Sequence, residues 1–141
     1  MMKILIPTDG SAYAENAAKV AAKIAIKHDY QLIVLHVVPD KGITRKTWRK
    51  EGAENALQAI KDTLMKMGCK EEFIETIIAD GNAPEKIVEI AKERNVDRIV
   101  MGTQGKSGIK KFVGTVTEKV LQSSDVLVLV VPPNYNVPTD P

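Results

Sequence analysis

The sequence predicts an α/β fold, a five-stranded parallel sheet in the order 3-2-1-4-5 with helices on both faces. Three observations lead there. Short runs of Ile, Val and Leu alternate along the chain with stretches of helical period, the mark of successive βαβ units. Several of these runs (ILI, LIVLHVV, LVLVV) are apolar almost without a break, as strands are when helices cover both faces of their sheet. The two most unusual loops follow the first and fourth strands, and an order that winds outward from strand one and then returns to its other side sets those loops face to face.

The strands read as Lys3 to Pro7, Gln31 to Val38, Phe73 to Ala79, Arg98 to Gly102 and Val126 to Val131. Between them, the first helix places Ala14, Ala17, Ala18, Ala21 and Ala25 on one side and Lys19, Lys23 and Lys27 on another. Such a small-residue face can approach a sheet closely. The second helix carries Ala53, Ala56, Leu57, Ile60, Leu64 and Met67 as its stripe, and Gly68 supplies a stop. Asn82 can cap the third, with Glu85 three residues on and Pro84 in the first turn, so that Ile87, Ile90 and Ala91 face inward. The fourth is expected to begin near Thr115, with Glu118 completing a capping box, and to bury Val116, Val120 and Leu121. Two stretches fall outside the alternation. Lys41 to Lys50 reads as a basic connector, and Pro132 to Pro141 as a proline-rich tail after a domain spanning 1–131.

A chain of 141 residues with 44% hydrophobic content is sized for one domain and one core. Its net charge of +2 gives no global pull toward nucleic acid or an anionic membrane. The start MMKILIPTDG is too short in apolar residues for a signal core or a membrane span, which makes the cytoplasm the expected location. The one cysteine, Cys69, lacks a metal-ligand or disulfide context and reads as an inert thiol.

In an open parallel sheet, ligands bind beyond the carboxyl ends of the strands where the strand order reverses. Here the first strand runs into Pro7-Thr8-Asp9-Gly10-Ser11 and the fourth into Gly102-Thr103-Gln104-Gly105-Lys106-Ser107-Gly108. Glycines at 102, 105, 108 and 114 are expected to let main-chain amides approach an oxygen-rich group and to adopt positive φ angles. Phosphate is the guest this chemistry suits. Gly114-Thr115 opens a helix whose free amides and dipole favour an anion by about 0.3 to 1 kcal/mol, and about 2 when partly buried. Thr115 and Thr117 add hydroxyl donors, while Lys106, Lys110 and Lys111 add charge. A P-loop is excluded because Val100 stands where that motif needs its first glycine, and no GxGxxG follows the first strand.

Plainer readings stand beside these. Asp9 either faces a ligand or caps and orients the first helix. Thr115 with Glu118 would serve as a capping box with no ligand present. His36 reads as a hydrogen-bonded core residue and His28 as a surface residue at a helix end, neither with a catalytic partner beside it. The basic run around Trp48 is read as a solvated connector, since one aromatic offers little base stacking. Ser107 lies in GKSGI, which is not a GxSxG elbow.

The segments KILIPTDGS, LHVV, DRIVMGTQGKSG, GTVTEKVL and VLVLVV together resemble a universal stress protein domain over nearly the whole chain, to about Val131. That family has a Rossmann-like fold of the adenine nucleotide α-hydrolase type. Its nucleotide-binding branch carries G-x2-G-x9-G-[ST], and this chain has Gly102-x2-Gly105 with eight residues before Gly114-Thr115. The resemblance implies that Pro7, Thr8 and Asp9 lie near a bound ATP, with Asp9 close to the ribose, the phosphates or a Mg2+ or Mn2+ ion. It implies that Val37 offers main-chain hydrogen bonds to adenine. It also implies that Met101, Gly102, Gly105, Lys106, Gly114, Thr115 and Val116 line the ribose and phosphate channel. Such proteins commonly pair as homodimers through the last strand, and Val126 to Val131 is an uncharged edge strand open to that pairing. The function implied is nucleotide-dependent stress response or signalling with little or slow hydrolysis. The alternatives are an interaction module that dimerises without nucleotide, and an ATP-using α-hydrolase-type enzyme. The latter would place a Gly/Ser-rich phosphate loop after the first strand, where this chain has only TDGS.

Overall fold

A computed structural model describes residues 1–39, 46–104 and 113–138, with the backbone alone of 46–50. Its elements run β1 (Lys3–Pro7), α1 (Ala12–His28), β2 (Gln31–Val38), α2 (Lys46–Lys66), β3 (Ile74–Asp80), α3 (Ala83–Glu93), β4 (Arg98–Gly102), α4 (Thr115–Ser123) and β5 (Leu127–Val131). The five strands form one sheet in the order β3-β2-β1-β4-β5, and every pairing is parallel. The predicted order is therefore the observed one. Alternate residues of the central strands serve two cores: Ile4, Ile6, Leu32, Val34 and Val100 face α1 and α2, while Leu5, Ile33, Leu35, Ile99 and Met101 face α3 and α4.

Local chemistry explains where the elements begin and end. Ser11 caps α1, its hydroxyl oxygen accepting from the Ala14 amide at 3.3 Å, and six alanines from Ala14 to Ala25 are buried against the sheet. Asn82 caps α3 by accepting from the Glu85 amide at 3.1 Å, with Pro84 in the first turn. Gly68 ends α2 with φ +105°, a backbone conformation that L side chains rarely adopt.

Five expectations need correction. The basic stretch is not a connector throughout: α2 already runs from Lys46, so only its earlier part precedes the helix, and 40–45 lie outside the described residues. The third strand starts at Ile74 rather than Phe73, because the Phe73 amide donates to the Lys70 carbonyl in a short 3-10 turn over Glu71–Phe73. Val126 stays out of the last strand because Ser124 takes both of its main-chain groups, accepting from the amide at 2.9 Å and donating to the carbonyl at 2.8 Å. The N-cap of α4 is Gly114 rather than Thr115, with no side-chain cap bond, so the Thr115–Glu118 box does not form. The face that α4 turns inward carries Thr117 and Val120, and Val116 and Leu121 are 39% and 46% exposed.

The two histidines and the cysteine differ in setting. His36 donates from Nδ1 to the Thr8 carbonyl at 2.9 Å, His28 is exposed, and burial pushes the Cys69 thiol up to about 11. After β5 the chain turns back along α1. Tyr135 donates its amide to the Pro132 carbonyl at 3.1 Å, and the Asn16 side-chain amide donates to the carbonyls of Pro132 and Tyr135 at 3.5 and 3.2 Å.

Candidate functional site at the strand-order reversal

β1 lies between β2 and β4, and the chain leaves it toward opposite sides of the sheet, which opens a crevice beyond its carboxyl end. The loop from β1 to α1 is held by short local bonds. Thr8 donates its amide to the Leu35 carbonyl at 2.8 Å, and its hydroxyl oxygen accepts from the Gly10 amide at 3.1 Å. Asp9 Oδ1 accepts from the Ser11 amide at 2.9 Å, which places Ser11 to cap α1. Gly10 has φ +84°, so this tight path requires glycine. The helix-orienting reading of Asp9 thus has a physical basis, while the same residue also borders the crevice.

That crevice is an open cleft of about 310 Å³. Of the residues singled out from the sequence, it brings together Pro7, Thr8, Asp9, Val37, Met101, Gly102, Gly114, Thr115 and Val116. Gly105 and Lys106 lie outside the described residues, as do Gly108, Lys110 and Lys111. The cleft has two chemical ends. Leu35, Val37, Ala83, Ile87 and Met101 form an apolar wall, whereas Thr8, Asp9, Ser11, Gln104 and the opening residues of α4 supply polar groups. Ala83 and Ile87 escaped the sequence reading because they belong to α3, whose first turn reaches the cleft only through the fold.

The glycines act differently from expectation. Gly114 has φ −66° and ψ 158°, ordinary extended backbone, and Gly102 is not among the glycines with positive φ. Gly102 is instead needed for close packing, because a Cβ there would stand 3.1 Å from both the Cβ and the carbonyl oxygen of Tyr13 on α1. The Thr117 hydroxyl is likewise not offered to a ligand as a donor: it donates to the Gly102 carbonyl at 2.8 Å.

A second cavity, of about 520 Å³, lies across the β1–α1 loop and shares Thr8, Asp9 and Ser11 with the first. It is the larger, but His36, Val38 and the Ala53–Ile60 part of α2 line it, and it lacks the opening turn of α4. Among the described residues, no group of three His, Cys, Asp or Glu side chains gathers as a metal site. Nor is any helix among them long and apolar enough to cross a membrane.

Comparison with known proteins gives a consistent picture. A profile of the universal stress protein family matches residues 1–132. Universal stress protein MJ0531 of Methanocaldococcus jannaschii is 37% identical over 140 residues, covering 92% of this chain and 81% of that protein. The structure of MJ0577, a universal stress protein of the same organism, superposes with a TM-score of 0.83 at 35% identity, over 96% of this chain and 98% of the other. A universal stress protein solved in complex with cAMP superposes with a TM-score of 0.76 at 25% identity, over 92% and 96% of the two chains. With a parallel 3-2-1-4-5 sheet, a cleft at its reversal point and relatives matched over most of their length, the chain belongs to the universal stress protein family.

Proposed function

We propose that this chain binds ATP in the cleft at the strand-order reversal and acts in the cytoplasm as a nucleotide-dependent stress-response or signalling module. The observation that carries the reading is the two-ended chemistry of the cleft. An apolar wall of Leu35, Val37, Ala83, Ile87 and Met101 suits a flat base, and in this reading the Val37 main chain bonds the base's edge. At the other end, Thr115 and Val116 begin α4 with amides that have no partner inside the helix, a setting suited to phosphate oxygens, and Gly114 lines the cleft beside them. The relative crystallised with cAMP shows that this family admits an adenine nucleotide.

Mg2+ or Mn2+ fits such a site as a companion of the phosphates. Asp9 is the only carboxylate among the described residues lining the cleft, and a hard cation is commonly held by one or two carboxylates together with phosphate oxygens and water. The ion would supply charge neutralisation. The chain's own residues contribute orientation: Asp9 and Ser11 fix the β1–α1 loop, and α4 presents its amides. Little or slow hydrolysis of the bound ATP is part of the same reading. Denaturing the purified protein and identifying the released small molecules by mass tests the reading. ATP at near-stoichiometric yield is expected; a protein that carries none and takes up none when supplied with it would favour the non-nucleotide interaction module, which the eight-residue spacer motivates.

The same proposal includes a homodimer through the last strand. β5 is a sheet edge, and Leu127 and Leu129 on it are 74% and 39% exposed. Leu127→Asp is expected to convert a dimer to a monomer in sedimentation equilibrium. A variant that sediments like a dimeric wild type would remove β5 from the interface.

A further inference from the structure

Thr117 occupies the third position of α4 and is 4% exposed. A threonine inside a helix ordinarily turns its hydroxyl back to the carbonyl three or four residues earlier. This one reaches out of its helix to the Gly102 carbonyl, at the last residue of β4, over 2.8 Å. Two further bonds close the same neck. The Gly114 amide donates to the Thr103 carbonyl, and the Thr103 amide donates to the Val131 carbonyl at 3.1 Å. The first helical bond, from the Glu118 amide to the Gly114 carbonyl, is 2.9 Å. The opening turn of α4 is therefore tied to the carboxyl end of β4 by one side chain and one main-chain bond.

The chemistry of position 117 needs this tie. A hydroxyl so deeply buried is costly unless it is paired, and an alanine or valine would meet the packing demand without a polar group. The Gly102 carbonyl supplies the pairing. What the pairing accomplishes is geometric: a helix amide favours an oxyanion only when it points at it, and a turn held before the ligand arrives loses less on binding.

We propose that Thr117 is a positioning residue, whose bond to the Gly102 carbonyl fixes the direction of the Thr115 and Val116 amides and thereby sets affinity for the phosphates of the bound nucleotide. This rests on the nucleotide reading given above. The residue acts through the turn it holds rather than by donating to the ligand, since its proton is already engaged.

Thr117→Val keeps the shape and removes the bond. Titration calorimetry with ATP and with adenosine, on the full chain, tests the assignment. Thr117→Val is expected to weaken ATP by about tenfold, the scale of one buried hydrogen bond, and to leave adenosine within about twofold. Thr117→Ser, which keeps the hydroxyl, is expected to restore ATP affinity. Thr117→Ala carries the same expectation as valine and serves if the valine variant does not fold. ATP affinity unchanged in the folded variants would overturn the assignment, and so would an equal loss for ATP and adenosine. Wild-type protein that binds neither compound would instead defeat the nucleotide reading, and the role assigned to Thr117 would fall with it.

Discussion

Gly114→Val is expected to push the ATP dissociation constant past about 1 mM, leaving no more than about 4 kcal/mol of binding, with an unchanged far-ultraviolet circular dichroism spectrum. The backbone at Gly114, φ −66° and ψ 158°, is one that valine adopts readily, so no conformational strain enters. The amide that donates to the Thr103 carbonyl is retained in the variant. Valine is a poorer N-cap than glycine, at a cost of about 1 kcal/mol, which a domain of this size tolerates. What changes is the space: a branched side chain stands at a cleft-lining position beside the opening amides of α4, where phosphate oxygens would approach. Calorimetry beside the spectrum checks both halves. Retained affinity would mean that the phosphates lie elsewhere.

Gly102→Ala is expected to act on stability first. The added Cβ would meet the Tyr13 Cβ and carbonyl oxygen at 3.1 Å and the Tyr13 carbonyl carbon at 3.3 Å. Two of these three atoms are helix backbone, which cannot rotate aside as a side-chain end can. Relief requires α1 to shift against β4, and α1 is fixed at its start by the Ser11 cap and the Asp9 bond. Overpacking of this kind costs about 1 to 3 kcal/mol, measurable by urea or thermal unfolding. A variant with wild-type stability and lost ATP binding would return Gly102 to a purely phosphate-facing role.

Strand positions, helix faces and the sheet order were legible because they rest on period and on apolar runs that tolerate small errors of boundary. Lys3–Pro7, Gln31–Val38 and Arg98–Gly102 were placed from their apolar cores and flanking Gly, Pro and polar residues. The errors at Phe73 and Val126 come from local bonds, a 3-10 turn and a serine turn, that compete with the ladder and leave no periodic trace. At α4 the sequence offered a start near Thr115, which is observed, and a capping box of Thr115 and Glu118, which is not, because Gly114 is the N-cap. In the helix that forms, Thr117 faces inward and Val116 outward. The Thr117 bond could not be read from the sequence because its acceptor lies fifteen residues away on another element. The same holds for Gly102, whose missing side chain answers to Tyr13 on α1. Most cleft residues were nameable because they sit at strand ends and at a helix opening. Ala83 and Ile87 were not, since nothing local distinguishes them from other residues of an amphipathic helix.

Nitrogen-15 and proton correlation spectra of the uniformly labelled protein, recorded during an ATP titration, test the central claim most directly, because the cleft shares one loop with a second cavity among the described residues. The account predicts saturable shifts at the amides of Val37, Gly102, Gly114, Thr115 and Val116. Residues of α2 that line only the second cavity, Gly52, Asn55 and Ala59, should remain in place. Saturable shifts centred on those three residues, or no saturable shift anywhere at millimolar ATP, would contradict it.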